Sequence, residues 1–446
     1  SLPRVFPEPR IALDELDAQV RWTVANQRVD VHFPKVDFAN ADIAGSVAGH
    51  FNTLPQSTNS PGDIDLTGSF KRGKAAEVWR YLPFVAGELT RNWVRDSLRD
   101  GKAENIKLRV KGDLWEFPWI RDKGGEFSVS ADFAGARLAY AAGWPELTNI
   151  AGTMLFHGER MVIQGKRANS LGAVISDTTA EIPDLTHPKD ARLVIRGRAD
   201  GPTSEFLAFI NASPVSEQLD QVTREMRATG SGTLNLGIDM PLQHVADTRV
   251  TGSYQFAGNE LIAATGMPPL TEASGKVEFT ERTLTIRDAA AKIFGSPVAV
   301  TAQTESDGKV MLGLAGNASI ADLRRVADSP WFDHLSGSTA WRANVAVRGQ
   351  SATLVVDSNL QGITSSLPEP LNKPAGTALP LRIELGKPPG AVAGSDEMHI
   401  ALDQLLDVRL LRRRDGNKMI VERGGIGLRE AANMPERGLA VAGSVG

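Results

Sequence analysis

Apolar and polar residues alternate with a period of two over most of the chain. In Ile106-Lys107-Leu108-Arg109-Val110-Lys111 every second residue is aliphatic and every intervening one is basic. An extended strand therefore puts the aliphatics on one side and the charges on the other. The same pattern recurs at Phe127-Ser128-Val129, Leu234-Asn235-Leu236, Val345-Ala346-Val347, Leu381-Arg382-Ile383-Glu384-Leu385 and Met398-His399-Ile400-Ala401-Leu402. Read this way, the chain contains roughly two dozen strands. Strands with one polar face do not suit the centre of a doubly wound α/β sheet, where both faces are covered, so an antiparallel sheet is expected. At about 4.8 Å per strand it would run on the order of 100 Å, and an open twisted sheet that wide must curl or fold over. The expected fold is mostly β: an elongated antiparallel sheet of repeated hairpin units, curled into a hydrophobic groove, with short helical inserts.

The hairpins repeat. Leu147, Gly152, Phe156, Ile163, Ala168 and Gly172 align with Leu270, Gly275, Phe279, Ile286, Ala291 and Gly295 at a constant offset and without a gap. Leu13, Ala18, Trp22 and Val29 keep the first spacings of a third copy. Each copy reads as a strand, a turn such as His157-Gly158-Glu159-Arg160, and a returning apolar strand. A short helical insert recurs at 75–99, 204–227 and 321–334, interrupted by Pro83, Pro214 and Pro330 and followed by Gly101, Gly230 and Gly337 at expected helix C-caps. The division expected is a first unit at 1–145, a second at 146–268, a third at 269–390, and further strands of the same groove at 391–446.

Composition narrows the chemistry. Forty-nine basic and 53 acidic residues leave a net charge of −4, without the broad positive footprint that nucleic-acid phosphates demand. There is no cysteine, which excludes disulfides, thiolate metal sites and cysteine nucleophiles. The seven histidines include no His-x-x-x-His pair, no Gly-x-Ser-x-Gly elbow occurs, and Gly230-Ser231-Gly232 precedes a strand instead of a helix. No catalytic residue, cofactor site or metal site is expected. Without an apolar run of about 18 residues or a signal peptide, the chain reads as a soluble internal segment whose membrane anchor lies outside it.

Four stretches carry a family resemblance. They are Tyr81-Leu82-Pro83 followed by Leu89, Trp93, Leu98 and Gly101; Gly112-Asp113-Leu114 with Phe117-Pro118; Ala141-Ala142-Gly143-Trp144-Pro145 leading to Leu147 and Gly152; and Leu367-Pro368-Glu369-Pro370-Leu371-Asn372-Lys373-Pro374-Ala375-Gly376 with Leu379-Pro380-Leu381. Over about residues 10 to 390 the chain resembles the YhdP family, which belongs to the AsmA-like, TamB-related envelope proteins of Gram-negative bacteria and has the repeating-β-groove architecture of lipid transfer proteins. The resemblance implies an inner-membrane protein with an N-terminal transmembrane helix outside this chain. Its periplasmic groove would carry phospholipids between inner and outer membranes, and outer-membrane or other envelope proteins are the remaining expected partners. The resemblance implies no catalytic residues.

An acyl chain needs a continuous dry wall, since each methylene removed from water is worth about 0.8 kcal/mol. The alternating strands supply Ile106, Leu108, Val110, Phe127, Val129, Phe156, Ile163, Leu193, Ile195, Leu234, Leu236, Phe279, Ile286, Val345 and Val347 as candidate groove-lining residues. For any one of them, ordinary core packing is the competing explanation. Trp79, Trp93, Leu98, Phe206, Phe209, Leu219, Trp331 and Phe332 on the inserts either gate the groove or cap the sheet. The basic tip Arg412-Arg413-Arg414-Asp415-Gly416-Asn417-Lys418 either meets anionic headgroups or is solvated surface. The rival reading of the whole chain is a structural or assembly scaffold of the envelope, with a dry β core and free edges that pair with partner strands. A hydrolase on a β scaffold ranks behind both.

Overall fold

The computed structural model describes residues 11–53, 60–119, 123–264, 267–326, 329–348, 351–387, 394–416 and 418–444. Ten strands come first: β1 (Glu15–Ala25), β2 (Arg28–Ala39), β3 (Ile43–Asn52), β4 (Asp63–Lys74), β5 (Leu98–Asp113), β6 (Gly125–Leu138), β7 (Leu147–His157), β8 (Arg160–Ser170), β9 (Ala173–Ile182) and β10 (Arg192–Pro202). They are followed by β11 (Arg227–Thr229), β12 (Ser231–Pro241), β13 (Arg249–Ile262), β14 (Leu270–Thr280), β15 (Leu284–Ile293), β16 (Ser296–Thr304), β17 (Val310–Ser319) and β18 (Leu335–Arg348). The last seven are β19 (Ser351–Ser358), β20 (Ile363–Ser365), β21 (Leu381–Gly386), β22 (Ser395–Leu402), β23 (Leu406–Asp415), β24 (Lys418–Leu428) and β25 (Gly438–Gly443). Four short helices interrupt them: α1 (Glu88–Ser97), α2 (Thr203–Asn211), α3 (Val215–Gln218) and α4 (Ile320–Val326).

All 25 strands belong to one sheet, which is not closed into a barrel. Sequential strands pair antiparallel as a meander, with two short side strands: β11 on β13 and β20 on β18. The exception is β25, which runs parallel to β24. Tight turns explain the meander. Asn26 and Gln27 both adopt positive φ between β1 and β2, as do Phe294 and Gly295 between β15 and β16, the conformation of a two-residue hairpin turn. Two compact units divide the chain, one comprising Ser1–Gly201 with Leu234–Thr251 and the other Pro202–Thr233 with Gly252–Gly446.

Where the inserts meet the strands, buried polar side chains hold them. Asn40 donates to Tyr81 Oη at 3.1 Å and accepts from the backbone of Asp42 and Ile43, tying the turn segment 75–81 to the end of β2. Asn259 donates to Thr203 Oγ1 at 2.5 Å, and that hydroxyl also meets Tyr254 Oη at 2.7 Å, fixing the start of α2. Near β20, the Lys373 ammonium is buried and donates to the carbonyls of Leu360 and Ile363, both at 2.8 Å. Burial pushes its pKa below the ordinary lysine value. The glycines after the inserts are not helix C-caps. The residue that ends α1 is the extended Leu98, whereas Gly101 lies within β5 and Gly337 within β18, both at positive φ. At Gly101 a Cβ would strike Ala136 on β6, so the glycine permits close approach of two strands.

The fully buried apolar positions are mostly small. They include Ala131, Ala136, Ala168, Ala173 and Ala199 in the first unit, and Ala289, Ala291, Val298, Val300 and Ala343 in the second. Among the described residues, Trp119 is the one large side chain sealed almost completely, at 1% exposure. Its indole N–H donates to the Asp113 carbonyl at 3.0 Å, and Phe117 packs edge-on against both it and Phe127. Trp119→Ala should therefore cost about 3–5 kcal/mol, read as a lower denaturant midpoint in equilibrium unfolding; a change within error would contradict this packing.

Candidate functional site

Cross-strand register assembles the alternating aliphatics into continuous rows. In the first unit Leu66, Gly68 and Phe70 on β4 face Val110, Leu108 and Ile106 on β5. Leu108 and Val110 then face Val129 and Phe127 on β6, and Val129 faces Phe156 on β7. The row continues through Met161 and Ile163 on β8 to Ala180 on β9 and Ile195 on β10. Nine of the sequence-predicted groove residues, Ile106, Leu108, Val110, Phe127, Val129, Phe156, Ile163, Leu193 and Ile195, thus share one side of this unit's sheet.

The second unit repeats the arrangement. Phe279 faces Leu284, Val277 faces Ile286, and Ile286 faces Ala302. From there the row passes to Leu312 and Val345, with Val310 and Val347 alongside. It then runs through Leu354, Leu385 and Met398 to Leu410. Leu234 and Leu236 occupy alternate positions of β12. All fifteen candidates are half-buried: none is sealed and none stands fully in water.

Polar chemistry occupies the opposite side. Arg109 on β5 bridges Asp65 on β4 and Glu126 on β6; Arg192 meets Asp239 at 2.7 Å; Arg382 joins Asp357 and Glu384 across β19 and β21. His399 lies between Glu384 and Asp407. No group of three metal-ligating side chains occurs among the described residues. A shallow depression of about 280 Å³ also lies on this side, between β7 and β8, lined by Thr153, Leu155, Arg160, Val162 and Gln164. It is open, and its arginine is already paired with Glu181, so it offers no dry wall.

The basic tip is committed to carboxylates. Arg412 pairs with Asp396 and Arg413 with Glu422, while Arg414 makes a two-pronged contact with Glu225 at 2.7 Å for each nitrogen. Asn417 lies outside the described residues. The Arg414 contact has a geometric consequence. Glu225 sits two residues before β11, and the path from β11 to β23 runs through β13, β14, β15, β16, β17, β18, β19, β21 and β22. In a flat sheet those steps span about 48 Å. Two residues of backbone and two side chains bridge only a fraction of that, so the sheet of this unit bends round. By alternation Arg414 and Arg412 project on the same side as Leu410, Val408 and Leu406, so the bend is toward the apolar side.

Sequence reasoning missed Trp119, Phe133, Tyr254 and Phe256, which also carry this side. Phe133 faces Gly152 in register, Tyr254 and Phe256 stack at 5.9 Å, and Phe206 of α2 packs edge-on against Tyr254. The signal was available as glycines that interrupt the alternation opposite aromatic residues.

Taken together, an open sheet whose strands in each unit carry an apolar row on one side and ion pairs on the other defines a mostly-β protein that presents hydrophobic surface along its strands. The chain belongs to the YhdP protein family, whose pattern matches residues 1–446. It is similar to the intermembrane phospholipid transporter YhdP of Escherichia coli (strain K12), with 25% identity over 393 residues. That match covers 85% of this chain, which spans 30% of the relative's length. No solved structure matches.

The cross-strand pairs give a pH dependence. Hydrogen bonds from Arg109, Arg192 and Arg382 hold Asp65, Asp239 and Glu384 below their ordinary values of 3.8, 3.8 and 4.5. Their contribution to stability is complete above those ordinary values and is lost as the pH falls through the lowered folded ones. Denaturant midpoints measured between pH 7 and pH 2 should fall only below about pH 4.5, and less steeply in Arg109→Gln. An equal acid dependence in that variant would count against the Asp65 pairing.

Proposed function

We propose that this chain is a periplasmic segment of a lipid conduit anchored in the inner membrane by a part of the protein outside it. The apolar side of the sheet forms a groove that holds phospholipid acyl chains on their way between inner and outer membranes. Successive hairpin units with their helical inserts, at 1–145, 146–268 and 269–390, extend one groove that residues 391–446 continue. Ile106, Leu108, Val110, Phe127, Val129, Phe156, Ile163, Leu193, Ile195, Leu234, Leu236, Phe279, Ile286, Val345 and Val347 line it.

One observation carries this reading: apart from Phe70 on β4 and Trp119 in its loop, the large side chains of the apolar rows stay half-buried, while the sealed positions are mostly alanine and small aliphatics. A closed sandwich would bury its largest inward residues most deeply. A guest with about a dozen methylenes per chain gains on the order of 10 kcal/mol by covering such a surface. The bend toward the apolar side and the charged pairs Arg412–Asp396 and Arg414–Glu225 at the end of the row also suit a molecule with greasy tails and a polar head.

A scaffold that recruits partner strands is the second reading. It is favoured by β1, which pairs only with β2 among the described residues and leaves Trp22 and Val24 68% and 69% exposed. Native mass spectrometry of the purified chain, with organic extraction, separates the two. Near-stoichiometric phospholipid is expected, and lipid-free protein would overturn the conduit. Leu108→Asp and Ile195→Asp should lose that lipid with an unchanged far-ultraviolet circular dichroism spectrum. If the row is instead a sealed core, either substitution unfolds the chain, because an unpaired buried charge is costly.

A further inference from the structure

Aromatic rings on the apolar side lie across glycines, most of them on a neighbouring strand and one, Gly68, on the ring's own strand β4. Phe70 covers Gly45 and Gly68, Phe133 reaches Gly152, Tyr254 covers Gly232, and Phe279 covers Gly252. Gly45 faces Phe70 in register, Gly68 faces Leu108 and Gly152 faces Phe133, which sets these three on the apolar side. At Gly252 a Cβ would come closer than 3.0 Å to three atoms of the Phe279 ring.

The arrangement needs a reason, because a glycine inside a strand weakens it and gives nothing to pack. Side chains on a sheet ordinarily stand roughly perpendicular to it. A ring can lie down only where its neighbour has no side chain, and a ring lying down lowers the surface it belongs to. If the apolar side were meant to be filled by its own residues, alanine or valine at these positions and upright rings would fill it better.

We infer that the ring-over-glycine pairs set the clearance above the apolar side and thereby select the guest, admitting long flexible alkyl chains of the phospholipid class. This rests on the conduit reading and adds the residues that determine its capacity. Flat rings act as floor; upright rings would act as posts standing in the path of an acyl chain. The effect is local to each pair, so one raised ring narrows one point.

Gly252 is the position to test. Its three nearest atoms are all at the far end of the Phe279 ring, with no backbone atom among them, and its φ lies outside the left-handed region. Alanine there leaves the strand in place and lifts the ring. Gly45 would serve less well, since its Cβ also strikes the Phe70 Cα and the Ser69 carbonyl. Phospholipids per chain are counted by native mass spectrometry for the wild type, Gly252→Ala, Phe279→Ala and the double variant, with circular dichroism for each. Loaded wild type, fewer lipids in Gly252→Ala at unchanged secondary structure, and recovery in the double variant are expected. Equal loading of wild type and Gly252→Ala overturns the clearance proposal alone. A deficit that Phe279→Ala does not rescue overturns it too, because the loss then does not pass through the ring. An empty wild type removes the conduit reading and this proposal with it.

Discussion

A strand with one aliphatic side and one charged side satisfies its backbone by pairing, yet pairing does nothing for the aliphatic side. In this chain the condition recurs on strand after strand of a single sheet, as on β5, β21 and β22. Each hairpin adds another stretch of apolar surface that its hydrogen bonds cannot cover. Globular β proteins resolve the problem with a second sheet, whose side chains interdigitate with the first. Here most large residues of the rows remain half-buried, and what is sealed is mostly small, with Phe70 and Trp119 the large exceptions among the described residues. The unsatisfied apolar side is the constraint from which the rest follows: the ion pairs opposite it, the bend toward it and the proposed hold on an amphiphile.

Ion pairs on the polar side hold the register. Arg109 spans three strands by contacting Asp65 and Glu126, and Arg382 ties β21 to β19 through Asp357 while also pairing with Glu384 on its own strand. Exposed pairs of this kind are individually weak. Their position matters more than their strength, because a one-residue slip would carry every aliphatic to the charged side. The Arg414–Glu225 contact works differently, joining parts of the second unit that lie far apart in the sheet.

Much of this was legible in the residues. Period-two alternation identified the strands, and the constant offset between Leu147 and Leu270 reappears as β7 and β14 starting on those same residues. Alternation also sufficed to put Leu108, Val129 and Phe156 on a common side, since neighbouring antiparallel strands in register share their faces. Longer-range facts were not legible. Nothing local distinguishes Gly101 in a strand from a helix C-cap, because both require positive φ; only the approach of Ala136 decides. Arg412, Arg413 and Arg414 read as a free basic tip because their carboxylates come from Asp396, Glu422 and the distant Glu225. Trp119 escaped notice because it lies in a loop, outside the alternation, and packs on Gly112 and Gly125.

The most direct measurement compares the two sides of one strand. A photoreactive phenylalanine analogue placed at 108, on the aliphatic side of β5, or at 107, on the charged side, is irradiated in cells and the protein is searched for covalent lipid adducts. Adducts at 108 with none at 107 are the expected result. Equal labelling of both positions, or none at 108 from a folded protein, would contradict the account.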